Sequence, residues 1–294
     1  MEKVIIEVGS TCTKIDFCTE NEIKHLATET IQFKKNYTKL GKLDPMDVER
    51  LIKKVNEIKK SYSNVYVCGT SIFRSLQETE RKFFLQMFKI STGLDFDIIS
   101  IEKENELTVL GATKNVGDRK VAVFVGGGGS TEISIYENGI KEMVNSHIGV
   151  MDAMKQFPDL ADDLATTSLE EVKTYVKKNL NLPKEKADIL ILAGGGHLFF
   201  AQNSGIRYES NVLYSDPWQP IMMDIVTRQK ESERYYQEIS MDAIRNRVSD
   251  PNWWYATRAM CAFVLVVAEE LGAKYIIPTD VSMVYGIMKE GEKK

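Results

Sequence analysis

Apolar and polar positions alternate between two periods along this chain. "KVIIEV" is a continuous apolar strand interrupted by one acid, Glu7. "KIDFC" then alternates as a half-buried strand does, and "ENEIK" turns into a third strand expected over roughly residues 23–33. Asp44 before Pro45 marks a helix start, and Val48, Leu51, Ile52, Val55 and Ile58 fall on one helical face behind it. "NVYVCGTS" reads as a strand running into a turn, and "SLQETERKFFLQMFKISTG" as a helix closed by Gly93. "DFDIIS" is a further strand, followed at once by the helical "EKENELTVLGATKNV".

The pattern then restarts. "VAVFVGGGGSTEISIYENGIK" repeats the order of "VIIEVGSTCTKIDFCTENEIK": apolar strand, small-residue turn, Thr, Ile, then Glu-Asn-x-Ile-Lys. The Asn-Gly pair predicts a tight hairpin in the second copy. We read an internal duplication of a hairpin-led α/β unit. Further on, Ser168 and Glu171 form a capping box, "ADILILAGGG" is a buried strand ending in glycines, and "SDPNWWYATRAMCAFVLVVAEELGA" holds a long helix. "KYIIPTD" and "VSMVYGIMKEG" complete the chain as strand and helix. Strands alternating with helices in both halves predict an α/β fold with mixed sheets. The polar stretch "KNVGDRK" sets the expected boundary, giving domains over 1–117 and 118–294, with the last helix free to pack back on the first domain.

Composition narrows the function. The formal charge is -4 and the pI about 5.6, so there is no global basic field for DNA, and an anionic ligand has to be held locally. Four cysteines without a CxxC pair read as reduced thiols, and three scattered histidines lack the spacing of a histidine metal centre. No apolar run reaches the length of a membrane span and no signal peptide is visible, so a cytoplasmic location is expected.

The candidate chemistry lies in the turns. Gly9, Ser10 and Thr11 form the first and Gly127, Gly128, Gly129, Ser130 and Thr131 the second; Gly195 and Gly196 belong to a third, each directly after a strand. Backbone N–H groups in such turns bind anions without formal charge, and Ser or Thr hydroxyls add donors. Arg74 follows a strand and a small turn, where a guanidinium suits a phosphate. Trp253, Trp254 and Tyr255 read either as a contact patch or as the capped start of a buried helix.

These residues resemble the exopolyphosphatase / guanosine pentaphosphate phosphohydrolase family of the actin-like superfamily. "EVGS" matches its opening Asp-x-Gly-Ser, "TSIFR" its Thr-Ser-x-x-Arg and "STGLDFDIIS" its Thr-Gly-Leu segment. "SIEKENELTVLG" loosely matches Ser-Gly-x-Glu-Glu-Ala, and "VGGGGSTE" matches Asp-x-Gly-Gly-Gly-Ser-Thr-Glu. The resemblance implies two actin-like, ribonuclease H-like domains with a cleft between them. It implies Glu104 as the base for an attacking water, with Glu132 and Arg74 as its catalytic companions. It also implies Mg²⁺ or Mn²⁺ held through Glu7 and Glu132, and polyphosphate or a nucleotide polyphosphate as substrate. On residues alone, Glu102 and Glu106 stay open beside Glu104, because residues two apart on a helix point about 200° apart. The oligomeric state stays open, a homodimer included.

The departures fall on the cleft residues. The first aspartate is Glu7, the second is Val125, and Ile101, Asn105 and His197 replace further family residues. The expected function is therefore a phosphoric-anhydride hydrolase resembling exopolyphosphatase. The alternative is a non-catalytic polyphosphate- or nucleotide-binding regulator on the same fold.

Overall fold

The computed structural model describes residues 2–10, 12–19, 22–194, 196–246 and 254–291. The chain forms two compact units, Met1–Leu107 with Met283–Lys294, and Thr108–Ser282.

The first unit runs β1 (Lys3–Val8), β2 (Thr13–Cys18), β3 (Ile23–Glu29), α1 (Phe33–Leu40), α2 (Pro45–Ser61), β4 (Val65–Gly69), α3 (Glu78–Thr92) and β5 (Phe96–Ile98), and then enters α4 (Ile101–Ala112). The strands make one mixed sheet in the order β3-β2-β1-β4-β5, antiparallel across the two hairpins and parallel across β1-β4-β5. Period-two alternation sorts its side chains. Val4, Ile6, Val8 and Ile15 pack with Val48, Leu51 and Val55 of α2 and Phe84 and Phe88 of α3. The α2 start was readable: Asp44 accepts a hydrogen bond from the Met46 amide at 2.9 Å. The third strand ends earlier than expected, at Glu29, and Phe33–Leu40 is helical.

The second unit continues with β6 (Val121–Gly126), β7 (Thr131–Tyr136), β8 (Ile140–Ser146), α5 (Val150–Gln156), α6 (Leu169–Asn179), β9 (Ile189–Ala193), α7 (His197–Asn203), β10 (Glu209–Ser210), β11 (Ile221–Asp224), α8 (Ile225–Gln237), α9 (Met241–Arg245), α10 (Thr257–Leu271) and β12 (Tyr275–Pro278). The chain then returns to the first unit as α11 (Met283–Gly291). There Ile5 packs with Val284, and Cys68 with Leu107 and Met283, so α4 and α11 cover the face opposite α2 and α3. Gly286 is the close approach: a Cβ there would lie 2.0 Å from the Leu107 carbonyl oxygen.

The second sheet runs β10-β11-β12-β9-β6-β7-β8. Its segment β8-β7-β6-β9-β12 repeats the first sheet strand for strand and direction for direction, so the duplication is present in the topology. Phe124, Ile133 and Ile135 bury one face under α5, α6 and the nearly all-apolar α10. The Asn-Gly turn forms as expected, with Asn138 at φ 53° and Gly139 at φ 132°. The hairpin from Cys18 to Ile23 is one residue longer than that from Tyr136 to Ile140, so the two copies change alignment there. Among the described residues no helix is long and apolar enough to cross a membrane.

Candidate phosphate and water site

Each unit carries one half of the expected chemistry. In the second unit, the Gly127 amide donates to the Ser130 carbonyl at 2.9 Å and closes the turn after β6. The first amides of α5 donate back into this loop, Val150 to Gly127 O at 3.1 Å and Met151 to Gly128 O at 2.9 Å. In a planar trans peptide the N–H points opposite to the C=O. With the Gly127 and Gly128 carbonyls facing α5, the Gly128 and Gly129 N–H groups project away from it. Both glycines are exposed. Two adjacent outward amides are donors of the kind that bind anions in turns.

Gly149 makes this support possible. A Cβ on it would lie 2.4–2.5 Å from Gly127 O, Gly128 C and Gly129 N. Sequence reasoning passed over Gly149, the glycine of "SHIGVMDA"; its only signal was a glycine directly before an apolar helix start. Thr131, expected as a phosphate donor, is 1% exposed, and its hydroxyl donates to Ile148 O at 2.8 Å. In this structure that hydroxyl anchors the loop to the segment before α5. Glu132 is 8% exposed and lies opposite Val125 in the β6–β7 register.

The first unit repeats the turn: the Gly9 amide donates to Cys12 O at 2.9 Å, and the Lys34 amide of α1 donates to Ser10 O at 3.0 Å. Thr11 lies outside the described residues, as do Gly195 of the third turn and Trp253 of the aromatic cluster. Gly196 is described, in the left-handed region at φ 68°, as the residue before α7.

Glu7 stands at the position equivalent to Val125, opposite Lys14 on β2 and beside Cys68 on β4. Its Oε2 is shielded from solvent and has no hydrogen-bond partner among the described residues. Burial raises its pKa above the usual carboxylate range; Lys14 opposes the shift, and Glu104 and Asp16 add to it. This is an oxygen that fits a hard divalent cation. Among the described residues no three or more His, Cys, Asp or Glu side chains gather as a metal cluster. A cation at Glu7 would therefore complete its shell with water or phosphate oxygens.

The structure separates the three acids of α4. Glu102 is exposed and bonded to its own backbone and to Ser100, which lowers its pKa. Glu106 pairs with Lys103 at 3.1 Å. Glu104 is partly buried and takes the Arg74 guanidinium at 2.6 Å, while the same Nη1 donates to Ile99 O at 3.0 Å. Arg74 and Glu104, read separately in the sequence, thus form one unit, and Glu104 acts electrostatically on Glu7.

Two duplicated hairpin-led units, each with a glycine turn at the end of its first strand, define an actin-like fold. Residues 19–246 match the sequence model of the Ppx/GppA phosphatase family. The chain belongs to that family. It is similar to the type II variant crystal structure of the Aquifex aeolicus Ppx/GppA phosphatase, with a TM-score of 0.78, 18% identity and 99% of both chains covered. It is also similar to an exopolyphosphatase from Cytophaga hutchinsonii, with a TM-score of 0.73, 15% identity, and 100% of this chain and 98% of that one covered. At these identities the likeness establishes the fold. No curated protein sequence matches the chain significantly.

Proposed function

We propose that the protein hydrolyses a phosphoric anhydride, releasing terminal phosphate from polyphosphate or a guanosine polyphosphate. Membership of a phosphatase family sets the class. The observation that carries the reading is the pair of outward amides at Gly128 and Gly129, held by α5 and ready for phosphate oxygens. Such preorganised donors stabilise charge on a transferring phosphoryl group without reorganising during the reaction.

Glu104 is the base in this reading. Water oxygen attacks the terminal phosphorus and the bridging P–O bond breaks. The water proton passes to Glu104, and the shortened chain leaves on its own oxygen. Arg74 fixes the Glu104 carboxylate and keeps further N–H donors for phosphate. Mg²⁺ or Mn²⁺ would supply charge neutralisation of the phosphates, with Glu7 and Glu132 as the candidate carboxylates.

The test is phosphate release from long-chain polyphosphate with Mg²⁺ or Mn²⁺, wild type against Glu104→Gln. A loss of about 10²–10⁴-fold is expected for removal of a general base. Wild-type release no greater than the variant's overturns the hydrolase reading. Val125 favours one alternative, a polyphosphate- or nucleotide-binding regulator, because this position lacks the carboxylate that Glu7 supplies in the first unit. Tight calorimetric binding without release would select it.

A further inference from the structure

Among the described residues of the second unit two arginines are buried, and their surroundings differ sharply. Arg258 on α10 is 0% exposed and spends all five N–H donors on carbonyl oxygens: Tyr235 at 2.8 Å, Leu160 at 3.1 Å, Asp162 at 2.7 Å, and Asp163 and Ile239 at 2.9 Å each. It is a structural staple with no capacity left.

Arg228 on α8 is 4% exposed and is not satisfied in this way. Its Nε has no partner among the described residues. Nη1 reaches the Tyr208 hydroxyl at a long 3.4 Å and Nη2 reaches the Cys261 sulfur at 3.7 Å. No carboxylate pairs with it among the described residues. A buried guanidinium left this way is destabilising unless something compensates it. A second orphan lies close enough to feel the Arg228 charge: the Nε2 atom of His197, at the start of α7, is buried without a partner among the described residues. Burial, and secondarily Arg228, lowers the His197 pKa to about 4, so the ring is neutral and can offer an Nε2–H donor. The nearby acids are engaged elsewhere. Glu231 pairs with Arg234 at 2.8 Å, and Asp280 accepts from the Leu198 and Phe199 amides at 2.9 and 3.1 Å.

We propose that Arg228, the Tyr208 hydroxyl and the His197 Nε2 edge form a binding site for a small tetrahedral oxyanion of the phosphate or sulfate class. The donor set is complementary to such an ion: a guanidinium with an unused Nε–H, a hydroxyl and an imidazole N–H, with no competing acceptor paired to the cation. The Arg228 orphan carries the inference, which is independent of hydrolysis and of the glycine turn at Gly127–Ser130.

The chain has only three histidines, so ring ¹⁵N resonances report the site directly once His25→Gln and His147→Gln assign them. Titration with inorganic phosphate, and separately with sulfate, at pH 7 is expected to shift the His197 ring signal saturably. Arg228→Met should abolish the shift, and Arg228→Lys should weaken the apparent affinity at least tenfold, because an ammonium lacks the planar fork. Gly129→Asp places a carboxylate where a Cβ meets nothing within 4 Å and repels anions from the glycine turn; the His197 shift should survive it. A flat His197 signal in the wild type with both ions overturns the proposal. So does a shift lost in Gly129→Asp, or retained at full affinity in a folded Arg228→Lys. The wild-type titration and Arg228→Lys decide the matter if Arg228→Met fails to fold.

Discussion

The two glycine-turn hairpins share one backbone and differ in where they put charge. In the first unit the strand acid is Glu7, facing Lys14; in the second that position is Val125, facing Glu132. Both turns close with the same amide-to-carbonyl bond, and both are braced by the first turn of the next helix. The brace differs as well. Before α5 stands Gly149, with no room for a Cβ; the equivalent residue before α1 is Gln32, whose side chain is exposed. The second turn is held more tightly by its helix, while the first carries the unpartnered carboxylate oxygen. The two copies keep the same backbone turn and differ in their carboxylates.

The largest effect should come from the brace. Gly149→Ala forces a Cβ onto three backbone atoms of the loop, which cannot rotate away, and should cost about 3 kcal/mol in chemical denaturation. Gln32→Ala should lie within about 0.5 kcal/mol of wild type, as an exposed substitution does. Equal costs would break the asymmetry drawn between the two turns.

Val125→Asp tests the charge difference next. It sets a carboxylate directly opposite the 8% exposed Glu132. Like charges across a strand pair destabilise, and partial burial adds to that, so a loss of about 2 kcal/mol is expected without metal. Mg²⁺ should recover part of it, as a rise in Tm larger than that of wild type. A metal-insensitive variant would mean that the missing acid does not account for the difference between the halves.

Glu7→Gln probes the other side, with a smaller effect. A carboxyl whose folded pKa is raised above its unfolded value costs stability once pH rises through the unfolded pKa and up to the folded one. The Gln variant should therefore melt higher than wild type in EDTA at neutral pH. It should match or fall below wild type well under pH 4, where both forms are neutral. It should also lose any Mg²⁺-dependent rise in Tm. A variant less stable than wild type in EDTA would show that Glu7 is compensated within the protein.

The hairpins, the long helices and the glycine turns were legible in the sequence because their signals are local. Asp44 with Pro45 starts α2, Ser168 and Glu171 cap α6 reciprocally, and Gly93 closes α3 at φ 72°. The helix over Phe33–Leu40 was not legible. Gln32 gives it no side-chain cap, Phe33 is its one buried residue, and its brace is the carbonyl of Ser10, far away in sequence. Helix α5 escapes local reading for the same reason, since Gly127 and Gly128 receive its first amides. The candidate base was degenerate among Glu102, Glu104 and Glu106. What separates them is Arg74, thirty residues from Glu104 and placed beside it only by the fold. Local patterns specify elements; the contacts that choose one residue among several similar ones are nonlocal.

The smallest effect isolates one hydroxyl in each hairpin. Thr131 and Thr13 occupy equivalent first positions of β7 and β2, and both are buried. The Thr131 hydroxyl donates to Ile148 O, whereas the Thr13 hydroxyl has no partner among the described residues. Valine keeps the shape and the β-branch at either site. Thr131→Val strands a buried carbonyl and should cost about 1 kcal/mol. Thr13→Val removes an unsatisfied polar atom and should be neutral or stabilise by up to about 1 kcal/mol. Phosphate affinity, measured by calorimetry on the same proteins, sharpens the point. If Thr131 only anchors the loop, Thr131→Val lowers stability and leaves affinity nearly intact. A large affinity loss without a stability loss would return Thr131 to the donor role its motif suggested, and would mean that the bond to Ile148 gives way when the anion arrives.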